Sequence, residues 1–285
     1  MEWTTLVDAP TLAAAVQNPE LRLVDARAAL ADPDAGRRAF AESHLPGAVH
    51  ADLNRDLADL SRHGQGRHPL PDSDAFAAWL GHVGIAPQHQ VVVYDAGDGS
   101  MAAARLWWML RLLGHRHVAV LDGGLAAWRA AGLPESPLLA AAAPEPPYPA
   151  QFDQDAVVDV AEVLRRSTVA TPGIFDARAA ERFRGEVEPI DPVAGHVPGA
   201  RNRPFALNLR DGQFKPADEL RAELEALLQG LPAQEAVLMC GSGVTACHLL
   251  LAFEHAGLHG ARVYAGSWSG WISDPARPVE RTAAP

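Results

Sequence analysis

The run Val237-Leu238-Met239-Cys240-Gly241-Ser242-Gly243-Val244-Thr245-Ala246 holds the residue types of a covalent catalyst. It begins apolar, as a buried strand does, and turns through one cysteine and two glycines. It then enters a helical run from Thr245 to His255. A strand, a tight loop and a helix start aim backbone N–H groups at an anion. A thiolate at that point is favoured by those dipoles, so its pKa falls and its reactivity rises. Cys240 is therefore the candidate nucleophile. The competing reading is a buried cysteine that packs as a small hydrophobe at a strand end. The loop alone does not separate the two.

Composition narrows the field. The 285 residues suggest about two domains, and 48% hydrophobic with 21% charged residues is ordinary for a globular chain. The net charge of −11 argues against nucleic acid or an anionic membrane as the main partner. A small anionic substrate remains compatible, because a site can be locally positive. The two cysteines, Cys240 and Cys247, make neither a disulfide scaffold nor a CxxC metal spacing. No metal and no cofactor are expected. The acidic start Met-Glu-Trp-Thr-Thr leads into no apolar h-region, and no uncharged apolar run reaches ~18 residues. The expected compartment is the cytoplasm, where thiols stay reduced.

The elements that must position the loop alternate between strand and helix. Strands are expected at 21–27, 49–53, 90–94 and 118–121, and helices at 75–82, 102–113 and 125–131, with Asp72-Ser73-Asp74 as a cap. The segment 61–71 reads as loop. This alternation predicts an α/β fold, a parallel sheet with helices on both faces. Residues 136–150 hold five prolines in fifteen and read as an extended linker. The expected domains are therefore 1–135, then the linker 136–150, then 151–285.

The second half repeats the first. Val24-Asp25-Ala26-Arg27 recurs as Phe175-Asp176-Ala177-Arg178, and His44-Leu45-Pro46-Gly47-Ala48 as His196-Val197-Pro198-Gly199-Ala200. Gly124-Leu125-Ala126-Ala127-Trp128 recurs as Ser267-Trp268-Ser269-Gly270-Trp271. Such a long period means domain duplication and not a solenoid. In this register the cysteine loop lies opposite the loop beginning at Asp95. The first copy has no cysteine, so one active site is expected, in the second half, with a catalytically silent first domain.

On these residues, with Glu181-Arg182-Phe183-Arg184-Gly185 and Gly195 to Asn202, the chain resembles the tandem two-domain members of the rhodanese (sulfurtransferase) family. The resemblance covers nearly the whole chain and implies two small parallel sheets flanked by helices. It implies transfer of a sulfane sulfur through a Cys240 persulfide, with Gly241, Ser242, Gly243, Val244 and Thr245 cradling the sulfur. Within the family, thiosulfate enzymes tend to carry Arg and Lys after the cysteine. The 3-mercaptopyruvate type tends to carry the Gly-Ser-Gly-Val-Thr seen here. Arg182 matches the substrate-binding arginine. A second arginine is usual nine positions on, where this chain has Asp191; Arg184 or Arg201 could replace it. Ser242 and His68 match two members of a Ser-His-Asp relay, whose carboxylate position is Asn54 here, with Asp52 close by.

The expected partners are a small anionic sulfur donor and a thiol acceptor such as thioredoxin or a small thiol. Thiosulfate is the alternative donor, and a persulfide carrier serving a protein partner is the alternative to an enzyme. A cysteine phosphatase of related fold needs an arginine six residues after the cysteine, and Ala246 stands there. His196 and Asp176 are read as turn-holding residues, Cys247 as helix packing, and Trp107, Trp108, Trp128 and Trp271 as core or interface aromatics.

Overall fold

The computed structural model describes residues 2–140 and 144–282. Its contacts separate into two units. The first comprises residues up to Asp59, Leu70–Asp153 and Asp211–Phe214; the second comprises Leu60–Pro69, Gln154–Arg210 and residues from Lys215 on. Part of the Pro-rich segment, residues 141–143, lies outside the described residues.

The first unit is a five-stranded parallel sheet in the order β1-β5-β4-β2-β3. Its strands are β1 (Leu6–Val7), β2 (Leu21–Asp25), β3 (Val49–His50), β4 (Gln90–Tyr94) and β5 (Val118–Leu121), and its helices are α1 (Ala9–Ala15), α2 (Ala35–Glu42), α3 (Ser73–His82), α4 (Ala102–Leu112) and α5 (Gly124–Ala130). Every residue of β4 is buried, which explains its unbroken apolar run Val-Val-Val. α3 starts at Ser73, two residues before the expected 75, because Asp72 alone is the cap and its carboxylate accepts the Asp74 N–H. β2 is shorter than the expected 21–27. The Asp25 side chain turns back to take the Arg27 N–H and ends the strand. β3 likewise stops at His50, because Asp52 Oδ1 accepts the N–H groups of Asn54 and Arg55 and turns the chain.

The second unit repeats the plan with four strands in the order β11-β10-β6-β7. Its helices are α6 (Val160–Arg166), α7 (Ala180–Arg184), α8 (Ala217–Leu228), α9 (Thr245–His255) and α10 (Ser267–Trp271). Its strands are β6 (Ile174–Asp176), β7 (Arg201–Asn202), β10 (Val237–Met239) and β11 (Arg262–Val263). Of two further short strands, β8 (Leu209–Arg210) belongs to this unit and β9 (Gln213–Phe214) to the first. α1, α2, α6, α7, α8 and α10 are not among the helices read from the sequence. The partner of β1 in this copy is a lone parallel bridge, Val157 to Val263.

One core lies on one face of each sheet. In the first unit Leu23, Val92, Tyr94, Ala119 and Leu121 pack with Leu12, Leu125 and Trp128. In the second, Ile174, Val237, Met239 and Tyr264 pack with Val163, Trp268 and Trp271. The indole N–H of Trp128 donates to Pro134 and that of Trp271 to Pro278, so each tryptophan buries its ring without stranding a donor. The shared plan extends to the turns. His44 Nδ1 lies 2.7 Å from the Phe40 carbonyl, and His196 Nδ1 lies 2.7 Å from that of Phe183, each ring stacked on that phenylalanine.

Candidate active site

Met239 pairs with Asp176 at the carboxyl end of β10, and Cys240 is the next residue. Its N–H donates to Ser267 Oγ at 3.0 Å, and its carbonyl accepts the Trp268 N–H at 2.9 Å. The Gly241 carbonyl accepts the Ser269 N–H at 2.9 Å. The start of α10 therefore fixes the first half of the cysteine loop. Ser267 adopts φ 52°, a left-handed conformation costly for a serine, and its hydroxyl in turn reaches the Tyr264 carbonyl. The second half of the loop depends on Gly243. Its φ is +77°, and a Cβ there would stand 2.2 Å from the Ala265 carbonyl oxygen. No other residue fits that turn. The chain then enters α9 at Thr245.

Two guanidinium groups converge on the loop. A Cβ on Gly241 would lie 3.3 Å from Arg67 Nη2 and 3.6 and 3.7 Å from the two terminal nitrogens of Arg182. Arg182 comes from α7. Its Nε and Nη2 donate to Glu188, and Nη2 also reaches Asp191 Oδ2 at 3.2 Å. Arg67 donates from Nη1 to Asp191 Oδ1 at 2.6 Å, and its own backbone N–H donates to Ser269 Oγ. Behind them Arg178 holds Asp176 and reaches Glu188 at 3.3 Å, its guanidinium 4.7 Å above the Trp268 ring. Burial pushes the Glu188 carboxyl up, but the Arg182 hydrogen bonds and charge outweigh it and hold Glu188 below the usual carboxylate range. Three arginines thus face three carboxylates, Asp176, Glu188 and Asp191.

Ser242 and His68 meet, with Ser242 Oγ 2.9 Å from His68 Nδ1. Asn54 and Asp52 fall in the first unit, where the Asp52 carboxylate forms the turn after β3. Arg184 and Arg201 are engaged away from the loop. Arg184 pairs with Glu186, while Arg201 donates to the Leu227 carbonyl and lies over the Phe175 ring. Cys247 is fully buried in α9, with Sγ 3.2 Å from the Gly243 carbonyl. Asp176 accepts the Arg178 N–H and closes the turn after β6. Arg67, Glu188 and Ser267 belong to the site and are missing from the sequence expectations. One signal for Arg67 was present: an aspartate standing where an arginine is usual implies a cation arriving from elsewhere.

The rhodanese-like domain family matches this chain twice, at residues 8–131 and 159–274. A Pseudomonas aeruginosa protein named as a probable 3-mercaptopyruvate sulfurtransferase is 49% identical over 98% of this chain and 99% of its own. A putative thiosulfate sulfurtransferase of Mycobacterium tuberculosis is 39% identical, over 98% of each chain. Among solved structures, the Leishmania major 3-mercaptopyruvate sulfurtransferase superposes with TM-score 0.81 at 32% identity, over 93% of this chain and 73% of that one. SseA of Escherichia coli, described as a 3-mercaptopyruvate sulfotransferase, gives 0.77 at 35% identity over 94% and 100%. Two family matches, each with its own parallel sheet, and full-length relatives of this similarity make one conclusion: the chain belongs to the rhodanese-like family, as a two-domain sulfurtransferase.

Proposed function

We propose that the protein moves the sulfur of 3-mercaptopyruvate to a thiol or to cyanide through a persulfide on Cys240. The observation that carries this reading is the neutral Gly-Ser-Gly turn directly after Cys240, with two guanidinium groups standing beside Gly241. The Cys240 thiolate attacks the donor sulfur, and the donor's carbon–sulfur bond breaks. The outer sulfur keeps its proton, and the bonding pair leaves on carbon as the enolate of pyruvate. Ser242, hydrogen-bonded to His68, is placed to donate to the developing enolate oxygen, and protonation of the carbon gives pyruvate. The N–H groups of residues 241 to 245 hold the charge of the deprotonated persulfide. An acceptor thiolate or cyanide then takes the outer sulfur and returns Cys240 as thiolate. This is ping-pong covalent catalysis.

The charge balance supports a monoanionic donor. The arginines around the loop are matched by carboxylates, so the site offers directed hydrogen bonds and little net positive charge. A dianion such as thiosulfate gains less from that arrangement than a single carboxylate does. Thiosulfate stands as the second reading, because two guanidinium groups can also hold a sulfonate-like end.

In this reading the first rhodanese-like domain, up to residue 135, is silent, and the linker 136–150 joins it to the catalytic domain at 151–285. Arg182 binds the donor, Gly241, Gly243, Val244 and Thr245 form the cradle, Cys240 takes the sulfur, and Ser242 with His68 serves the enolate oxygen. Thioredoxin or a small thiol in the cytoplasm is the acceptor. The deciding measurement compares kcat/KM for 3-mercaptopyruvate and thiosulfate with cyanide as acceptor. A higher value for thiosulfate reverses the donor assignment, and loss of turnover with both, while a persulfide still forms, leaves a carrier.

A further inference from the structure

We infer that Arg67 is the second carboxylate-gripping residue of this enzyme and that Asp191 is its positioning residue. The inference rests on the proposed mercaptopyruvate reading and names the parts of that site. The argument starts from the two arginines at Gly241. Each guanidinium is held through some of its nitrogens and keeps another beside the loop. Arg182 spends Nε and Nη2 on Glu188 and Asp191, while its Nη1 lies 3.7 Å from the Cβ position of Gly241. Arg67 spends Nη1 on Asp191, while its Nη2 lies 3.3 Å from the same position. Two terminal nitrogens from different segments therefore converge one residue past Cys240. A carboxylate accepts two such N–H donors at once, one on each oxygen.

Asp191 makes this convergence possible. Two like charges so close repel, and a bare pair would splay toward water. Asp191 bridges them, Oδ1 to Arg67 at 2.6 Å and Oδ2 to Arg182 at 3.2 Å, and its own side chain is 3% exposed. The Asp191 N–H donates to Glu188 Oε1, so the bridging carboxylate is itself tied down. Arg67 is further fixed by its backbone bond to Ser269, next to the residues that hold Cys240. Position 191 thus supplies the anion of a pair whose cation comes from position 67. The site keeps two directed guanidinium donors, delivered from a different place in the chain. Arg67 adds specificity for a carboxylate-bearing donor, because its Nη2 stands beside the loop and its charge is already balanced by Asp191.

Alkylation of Cys240 tests this without depending on the donor. Iodoacetate carries a carboxylate and iodoacetamide does not. Both rates are measured by peptide mass spectrometry in a Cys247→Ser background, with KM and kcat for 3-mercaptopyruvate alongside. Arg67→Gln should lower the iodoacetate-to-iodoacetamide rate ratio by about 10-fold or more, and raise KM by about 10- to 100-fold with kcat far less changed, as expected for one lost charge-assisted bond. Arg67→Lys should recover part of the ratio. Asp191→Asn should raise KM less than Arg67→Gln does, and should add little when combined with it. An unchanged ratio in Arg67→Gln overturns the inference. So does an equal slowing of both reagents, which would make Arg67 a support for the loop. If the unaltered protein accepts thiosulfate and not mercaptopyruvate, the donor reading fails, and the alkylation ratio still decides the role of Arg67.

Discussion

Asp95 and Cys240 occupy the same place in the two copies. Tyr94 pairs with Asp25, and Met239 pairs with Asp176, and the next residue in each case opens the loop. Leu125 donates its N–H to the Asp95 carbonyl as Trp268 does to that of Cys240. The residues beneath are Gly124 at φ +54° and Ser267 at φ 52°. The scaffold is shared, and the contents of the loop differ. In the first copy the Asp95 carboxylate turns inward and takes the N–H groups of Gly97, Gly99 and Met101. The donors that could meet an external anion are spent on an internal one. In the second copy a cysteine stands there, and serine replaces glycine below it to hold its N–H. The same geometry is used once to close a loop on its own carboxylate and once to seat a buried cysteine. The difference lies in which atom terminates the strand.

Exchanging those atoms gives the largest effects. Cys240→Ser should lower sulfur transfer by roughly 10³-fold or more, since a serine hydroxyl cannot carry a persulfide. Cys247→Ser should keep most of it. Donor-treated protein should gain one sulfur by intact mass, mapped to Cys240. Asp95→Cys placed in the Cys240→Ser protein should gain none, because that loop lacks the serine beneath it. A persulfide at residue 95 would mean that the scaffold alone is sufficient.

Arg182→Gln comes next. It removes the guanidinium proposed to bind the donor and leaves the buried Glu188 short of its main partner. The expected fall in kcat/KM for mercaptopyruvate is about 10²-fold, the scale of one charge-assisted hydrogen bond. Steady-state kinetics check it, and an unchanged kcat/KM would move the donor away from Gly241.

Ser267→Gly turns the floor of the active loop into that of the silent one. The backbone strain is relieved, while the hydrogen bond to the Cys240 N–H is lost, a trade of about 1 kcal/mol in each direction. Thermal stability should therefore change little while kcat falls by about 10-fold, because the loop loses its fixed position. If activity and melting temperature fell in step, Ser267 would be a stability residue only.

The smallest effect tests the silent loop by pH. Burial raises the Asp95 carboxyl to about 6, against the pull of its three backbone N–H bonds. A raised carboxyl favours the fold while protonated. Its contribution is complete below pH ~4 and is lost as pH rises through about 6. Asp95→Asn, which carries no charge to bury, should gain stability relative to the parent between pH 4 and 7, on the order of 1–3 kcal/mol. Urea melts across that range would show it. A constant difference between the two proteins would mean that the carboxylate is ionised throughout.

Much of the fold was legible because it is local. β4, β5 and α9 lie where the pattern puts them, since a buried parallel strand is a short apolar run and a helix start has its own turn chemistry. The strand ends were harder. Asp25 and Asp52 each stop a strand through a side-chain bond to the backbone, which hydropathy does not register. The weakly patterned helices α1 and α6 are seven residues long and hold through an aspartate cap, Asp8 or Asp159, together with packing.

By itself the sequence determined the duplication, the loop that carries the one candidate nucleophile, and the glycine that lets the loop turn. Each of these is written in neighbouring residues, whose backbone preferences act over a few positions. Tertiary structure alone decided which groups gather around Cys240. Arg67 reaches Asp191 across 124 residues of chain, and His68 reaches Ser242 across 174. Residues 60–69 belong to the second unit although they lie in the first half of the sequence. An ion pair is satisfied by any opposite charge brought within reach, so local preferences cannot name the partner. Packing of the segments around β6 and β10 selects it, and so turns an aspartate in an unexpected place into the anchor of two arginines.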